Sequence, residues 1–94
     1  MSTNVMNMPA EENLGSIAEV LKELSDTRGV PRNVKSVIDG AIKALNDRKE
    51  SPSSRVNTAI TLLDEISNDP NLPAHIRTQV WNTVSMLESL QGQL

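Results

Sequence analysis

The residues that could do acid–base or metal chemistry are few, and four of them lie in one short segment. Carboxylate oxygens and an imidazole nitrogen can hold a metal ion, and this segment contains Asp64, Glu65, Asp69 and His75, the one histidine of the chain. A di-iron helical bundle needs two Glu-x-x-His pairs, which one histidine cannot supply. We therefore favour a second interpretation, in which Asp69 caps a turn and His75 lies at the surface. We expect no metal and no other cofactor.

Two glutamates, Glu23 and Glu65, could serve as an acid and a base. Both lie near predicted helix C-termini, where the helix dipole disfavours negative charge, so we expect ion pairs with Lys35 or Arg77 instead of catalysis. The chain has no cysteine, and its four glycines are too scattered for a phosphate-binding loop. It also lacks the Gly-x-Ser-x-Gly motif of a serine nucleophile. These observations argue against an enzyme.

Helices must position these residues, because apolar side chains recur at helical spacing along the chain. In the first helix Leu14, Ile17, Leu21 and Leu24 form one stripe, and the alternation typical of strands is absent. Proline suits a helix start, and Gly29 can adopt the positive φ that often ends a helix. The predicted helices lie near residues 10–25, 31–46, 52–67 and 73–90.

A single helical domain is predicted over residues 10–94, after a flexible N-terminal tail over residues 1–9. The chain has one Trp and neither Phe nor Tyr, so aliphatic side chains must fill the core. Such side chains suit the packing of helices against each other. We predict an all-α protein, an antiparallel four-helix bundle.

A self-match at an offset of 42 residues indicates that two internally duplicated helical hairpins form the bundle. Residues 17–31 align with residues 59–73 without a gap. Besides apolar positions, the match pairs Glu23 with Glu65, Ser25 with Ser67, and Pro31 with Pro73. The period also falls in the range of HEAT repeats, so two HEAT-like repeats are the alternative. We favour the bundle because a solenoid needs about three repeats.

Several segments carry a family resemblance. The sequence resembles a family of uncharacterised small archaeal proteins at Gly-Val-Pro-Arg-Asn-Val (29–34), at Leu-Asp-Glu-Ile-Ser-Asn-Asp-Pro-Asn-Leu-Pro-Ala-His-Ile-Arg-Thr (63–78), and at Trp81 and Leu87-Glu88. The resemblance covers the chain after residue 10 and leaves the N-terminal tail outside. It implies a helical bundle in an archaeal cytoplasm. It supplies no activity, cofactor or catalytic residue.

Charge is distributed unevenly along the chain. Residues 1–26 carry five acids and one lysine (−4), and residues 27–55 carry seven basic and three acidic residues (+4), within a net charge of −3. The basic segment 28–55 suggests an alternative function, association with nucleic acid, with Arg32 and Lys35 as phosphate contacts. We favour solvated helix faces, because the whole chain is acidic.

The location is predicted from what the sequence lacks. No apolar run approaches the ~20 residues of a membrane span, so we expect no membrane association. The absence of cysteine and of a signal peptide predicts a cytoplasmic protein.

Four apolar side chains outside the main stripes form the candidate partner surface: Trp81, Val20, Leu62 and Met86. Trp81 aligns with Asp39 in the self-match, which places it away from the inward stripe. A partly exposed Trp is a common anchor of protein interfaces, although these residues could also broaden a small core. We predict a non-enzymatic protein-interaction or scaffold module, with self-association as one form of it.

Overall fold

The computed structural model describes residues 10–94, which form four α-helices and no strand. The helices are α1 (Ala10–Ser25), α2 (Arg32–Leu45), α3 (Pro52–Ser67) and α4 (Ala74–Gln91). The prediction of an all-α protein with four helices is confirmed. The flexible tail predicted for residues 1–9 lies outside the described residues.

The helix boundaries follow from local chemistry. Ser51 precedes α3, and its side chain accepts a hydrogen bond from the backbone N–H of Ser54 at 3.2 Å, which satisfies one free donor of the first turn. Gly29 has the positive φ, 95°, expected after α1. Pro31 and Pro73 were predicted as the first residues of α2 and α4. They instead precede these helices by one residue, because their ψ angles of 150° and 144° are extended.

The four helices pack as a closed antiparallel bundle. Helix α2 packs against α1 and α3, and α4 packs against α3 and α1. The connections span residues 26–31, 46–51 and 68–73, six residues each, and connections this short make neighbouring helices antiparallel. The contact between α1 and α4 closes the ring, whereas two stacked HEAT-like repeats would leave these helices apart. None of the helices within residues 10–94 combines the length and apolar character needed to cross a bilayer.

Aliphatic side chains fill the core, as the spacing predicts. Each helix contributes fully buried residues, among them Leu21, Ile38, Leu63 and Leu87. The core also contains a charged side chain that the apolar pattern does not indicate, because Arg55 is 3% exposed. The apolar stripes therefore determine how the helices pack, whereas the burial of Arg55 requires specific hydrogen-bond partners.

The two hairpins share one spacing around their first connections. Helices α1 and α3 end at residues 25 and 67, an offset of 42. Helices α2 and α4 begin at residues 32 and 74, again 42 apart. Pro31 and Pro73, with φ angles of −58° and −57°, also agree. Positions 42 residues apart are called equivalent below.

Candidate interaction surface on helix α4

At each of the three connections, one basic side chain binds the end of the preceding helix in the same way. Each lies in the first turn of a helix and donates a hydrogen bond to a backbone carbonyl at the end of the preceding helix, ten residues earlier. The distances are 3.2 Å for Lys35 Nζ to Ser25 O, 3.0 Å for Arg55 Nε to Leu45 O, and 3.1 Å for Arg77 Nε to Ser67 O. Carbonyls at a helix C-terminus lack intrahelical partners and carry partial negative charge, so a cation stabilises them.

The ion pairs predicted for Glu23 and Glu65 are wrong. Lys35 forms its ion pair with Asp26 at 3.4 Å, and Arg77 donates to the carbonyls of Ser67 and Asp69. Among residues 10–94, neither glutamate is joined to either cation by a salt bridge. The helix-terminal carbonyls hold the cations instead.

The buried guanidinium of Arg55 connects three helices at one end of the bundle. Arg55 donates to both carboxylate oxygens of Glu11, at 2.6 and 3.0 Å, and to the carbonyl of Leu45 through both Nε and Nη2. Hydrogen bonds from Arg55 hold the pKa of Glu11 below its usual 4.5, aided by the charges of Arg55 and Arg48. This cluster links the beginnings of α1 and α3 to the end of α2.

The segment proposed as a possible metal site serves as a turn. Asp69 accepts a hydrogen bond from the backbone N–H of Asn71 at 2.8 Å and from the Asn33 side chain at 3.0 Å. These bonds, the backbone one first, lower the pKa of Asp69. His75 is exposed, as expected. Over the described part of the chain, no three His, Asp or Glu side chains group as metal ligands would.

A polar groove lies between α1 and α2. It has a volume of about 290 Å³, and its lining residues are Lys22, Ser25, Asp26, Asp39 and Ile42. The Ser25 hydroxyl donates to Asp39 at 2.8 Å and accepts from Lys35 at 3.1 Å. Since Ser25 is buried, its hydroxyl is not open to a substrate carbonyl. No buried polar side-chain atom in residues 10–94 lacks a partner.

The four candidate partner residues differ in how far they are exposed. Trp81, Met86 and Val20 are 55%, 41% and 37% exposed. Leu62 is instead half-buried and packs against the core, so it offers less surface to a partner than the other three. Helix α2 approaches α3 at Gly40, where an added Cβ would lie 3.8 Å from Leu62 Cδ1. The Leu62 side chain therefore lies next to Gly40 of α2, with space left for an ordinary van der Waals contact.

Trp81 and Met86 do not share one surface patch. They are five residues apart on α4, and at about 100° per residue their side chains leave the helix in directions about 140° apart. Val20 lies on another helix, α1. The helix face that contains Trp81 is therefore a separate surface from the one that contains Met86.

We define the Trp81 seam as six exposed residues of α4 and its C-terminal cap, spaced alternately four and three apart: Ala74, Thr78, Trp81, Ser85, Glu88 and Gly92. This spacing places them along one face of the helix. Glu88 is the single charged member. A large aromatic side chain thus stands among small ones on a face with little charge. Interface cores are enriched in aromatic residues and depleted in charged ones.

The equivalent face of α2 has a different character. Its residues, 42 positions earlier, are Arg32, Ser36, Asp39, Lys43 and Asn46. Three of these five are charged, as in an ordinary solvated helix face. The low charge along the Trp81 seam is therefore specific to α4 and is not shared by the corresponding face of α2.

Only some of the basic side chains in segment 28–55 are available to bind a ligand, because others are bound within the chain. Lys35 and Arg55 bind helix ends, and Arg48 lies 3.8 Å from Glu11. Of the two candidate phosphate contacts, Arg32 is exposed, whereas Lys35 is occupied by Ser25 and Asp26. A phosphate would compete with contacts that the fold uses.

Comparison with known proteins shows a match over almost the whole chain. Residues 1–90 match the model of the uncharacterised protein family UPF0147. The match begins at residue 1, so the expectation that the N-terminal tail lies outside the family is wrong. The chain is 40% identical to a UPF0147 protein of Methanothermobacter thermautotrophicus, over 92% of this chain and 83% of that one. It is 46% identical to one of Methanocaldococcus jannaschii, over 86% and 87%.

Two crystal structures are also similar. One is the protein of unknown function MMP1188, with a TM-score of 0.84 and 40% identity over 94% of this chain and 97% of that one. The other, from Thermoplasma acidophilum, belongs to the uncharacterised family UPF0147. It has a TM-score of 0.79 and 39% identity over 86% and 96% of the two chains. The chain therefore belongs to UPF0147, a family of unknown function with members in archaea.

Proposed function

We propose that this protein is a non-enzymatic protein-binding module whose contact surface is the Trp81 seam. One observation carries the proposal: Trp81 is 55% exposed at the middle of a helix face with a single charge. Exposing a large aromatic ring is costly for a small monomer, and binding a partner recovers that cost. Small neighbours such as Thr78 and Ser85 leave room for a partner to reach the ring.

Two further observations support binding over catalysis. The buried polar groups are already paired within the chain, and the Ser25 hydroxyl is closed to substrates. The basic segment 28–55, the alternative surface for nucleic acid, uses Lys35 and Arg55 to hold the fold. Nucleic-acid binding thus has weaker support than protein binding.

A photo-cross-linking experiment tests the proposal. Position 85, within the seam, receives a photo-reactive phenylalanine in an archaeal host, and the equivalent exposed position 43 on α2 serves as the control. We expect covalent protein adducts from position 85 and not from position 43, because only the seam binds a partner. The adducts should disappear when Trp81→Ala is added. Adducts to nucleic acid alone, or no adducts from position 85, would contradict the proposal.

We also propose how the fold arose. We infer that an ancestral helical hairpin was duplicated. The offset of 42 residues in the helix boundaries supports this, as do the equivalent bonds from Lys35 to Ser25 and from Arg77 to Ser67. In this account the face of α4 lost its charges after the duplication, when it became a contact surface. The cytoplasmic location remains a prediction that cell fractionation would test.

A further inference from the structure

We propose that the partner of the Trp81 seam is the same seam of a second copy of this chain, with the two α4 helices antiparallel about a two-fold axis. This inference rests on the proposed function and names the partner.

The spacing of residues along the seam is symmetric, so the seams of two antiparallel copies can pair residue by residue. Its spacing of four, three, four, three and four residues is the same in both directions. A two-fold axis at the level of Thr83 therefore places each seam residue opposite a seam residue of the second copy. The resulting pairs are Trp81 with Ser85, Thr78 with Glu88, and Ala74 with Gly92.

Side-chain sizes are complementary in this arrangement. The large ring of Trp81 lies opposite Ser85 of the second copy, and each copy offers the same pair, so two rings enter two shallow sites. At each end Ala74 of one copy lies opposite Gly92 of the other, which lets the helices approach closely. A parallel pair would instead place Trp81 opposite Trp81 and leave gaps at the small residues.

Charge also favours the antiparallel arrangement. Glu88 of one copy lies beside the N-terminal half of the other α4, which carries the positive end of the helix dipole. A parallel pair would bring Glu88 close to Glu88 and repel. The single charge of the seam thus selects the direction of pairing.

The contact is narrow, so the association should be weak. One helix face buries less area than the ~1,200 Å² at the lower end of stable interfaces. We expect a monomer–dimer equilibrium that depends on concentration. The measurements below therefore extend to high protein concentration.

Engineered thiols test the geometry directly, because the chain has no cysteine of its own. Thr78→Cys and Glu88→Cys are prepared as separate single variants and mixed under mild oxidation. The proposal predicts a disulfide between the two variants in the mixture and little in either variant alone, since disulfides need close Cα atoms. Ser36→Cys with Asn46→Cys, at the equivalent positions of α2, is the matched control and should not cross-link.

Sedimentation equilibrium supplies the second measurement. The unmodified chain should dimerise with rising concentration. Trp81→Ala should weaken dimerisation by at least about tenfold, as expected for a central aromatic anchor. Met86→Ala removes another exposed apolar side chain of α4 and should leave dimerisation unchanged. Far-ultraviolet circular dichroism checks that each variant keeps its helices.

The outcomes separate this inference from the proposed function. A mixed Thr78–Glu88 cross-link with weakened Trp81→Ala association supports the antiparallel pair. A cross-link formed by Thr78→Cys alone overturns it in favour of a parallel pair. A monomer at every concentration overturns the second copy, while adducts from position 85 to another protein would then keep the proposed function. A dimer linked through α2 overturns both.

Discussion

Arg55 at the start of α3 and Glu11 at the start of α1 are joined by two hydrogen bonds, at 2.6 and 3.0 Å. The two residues are 44 positions apart. The Arg55 side chain is 2% exposed, whereas that of Glu11 is 40% exposed. The guanidinium is therefore buried with its charge balanced by a carboxylate that faces solvent on its other side. This pair links the first hairpin to the second.

The first prediction concerns Arg55. Arg55→Ala should lower the free energy of unfolding by about 2–3 kcal/mol, because it leaves the Leu45 carbonyl without its buried donor and removes a packed side chain. Arg55→Lys should recover part of this loss, since an ammonium lacks the planar fork of donors. Urea denaturation gives the measurement. Arg48→Ala is the control: its side chain is 77% exposed, and it should change stability by less than about 0.5 kcal/mol.

The second prediction concerns acid. The pKa of Glu11 is lower in the folded protein than its usual 4.5, chiefly through the hydrogen bonds from Arg55. The stability that Glu11 contributes is therefore fully present above about pH 4.5 and is lost as the pH falls through the folded-state pKa. Glu11→Gln should flatten the dependence of stability on pH in that range. Glu12→Gln, at an exposed neighbouring position, should leave the dependence as it is, and an equal change in both variants would contradict this account.

The third prediction contrasts two glycines. Gly40 lies inside α2, and a Cβ there would meet Leu62 at the ordinary contact distance of 3.8 Å. Gly40→Ala should raise the free energy of unfolding by about 0.5–1 kcal/mol, because alanine loses less backbone entropy in a helix. Gly29→Ala should lower it by about 1–2 kcal/mol, because φ is 95° there. Thermal unfolding of both variants would show opposite shifts, and shifts of the same sign would contradict the prediction.

The fourth prediction concerns the closure of the last connection. Arg77 donates to the carbonyls of Ser67 and Asp69 at 3.1 and 2.7 Å. Arg77→Ala should lower the free energy of unfolding by about 1–2 kcal/mol, the value of two hydrogen bonds from a charged group that is partly exposed. Arg32→Ala, on an exposed position of α2, should be nearly neutral. Equal losses in the two variants would mean that general charge, and not helix capping, is responsible.

Most of the fold could be predicted from the sequence, because apolar residues at helical spacing and prolines before helices are local signals. The stripes containing Leu21, Ile38, Leu63 and Leu87 all face the core. The offset of 42 residues also located equivalent helix boundaries. Such signals need no knowledge of which helices meet.

The polar contacts were harder to predict, because they depend on which chain segments come together. Nothing in the apolar pattern indicates that Arg55 is buried or that Glu11, 44 positions away, is its partner. Lys35 and Arg77 were expected to bind glutamates, but free carbonyls at the preceding helix ends were closer acceptors. Leu62 was assigned to the surface because the approach of α2 at Gly40 cannot be read from either helix alone.

The six-residue connections have a consequence for the rate of folding. Each of the three pairs of consecutive helices can form with little loss of chain entropy, since short loops close at low cost. The contact of α1 with α4 and the Arg55–Glu11 pair between α3 and α1 must wait for distant parts of the chain to meet. Proteins dominated by such local contacts fold in microseconds to milliseconds. We therefore expect this chain to reach its native state within about a millisecond after dilution from denaturant.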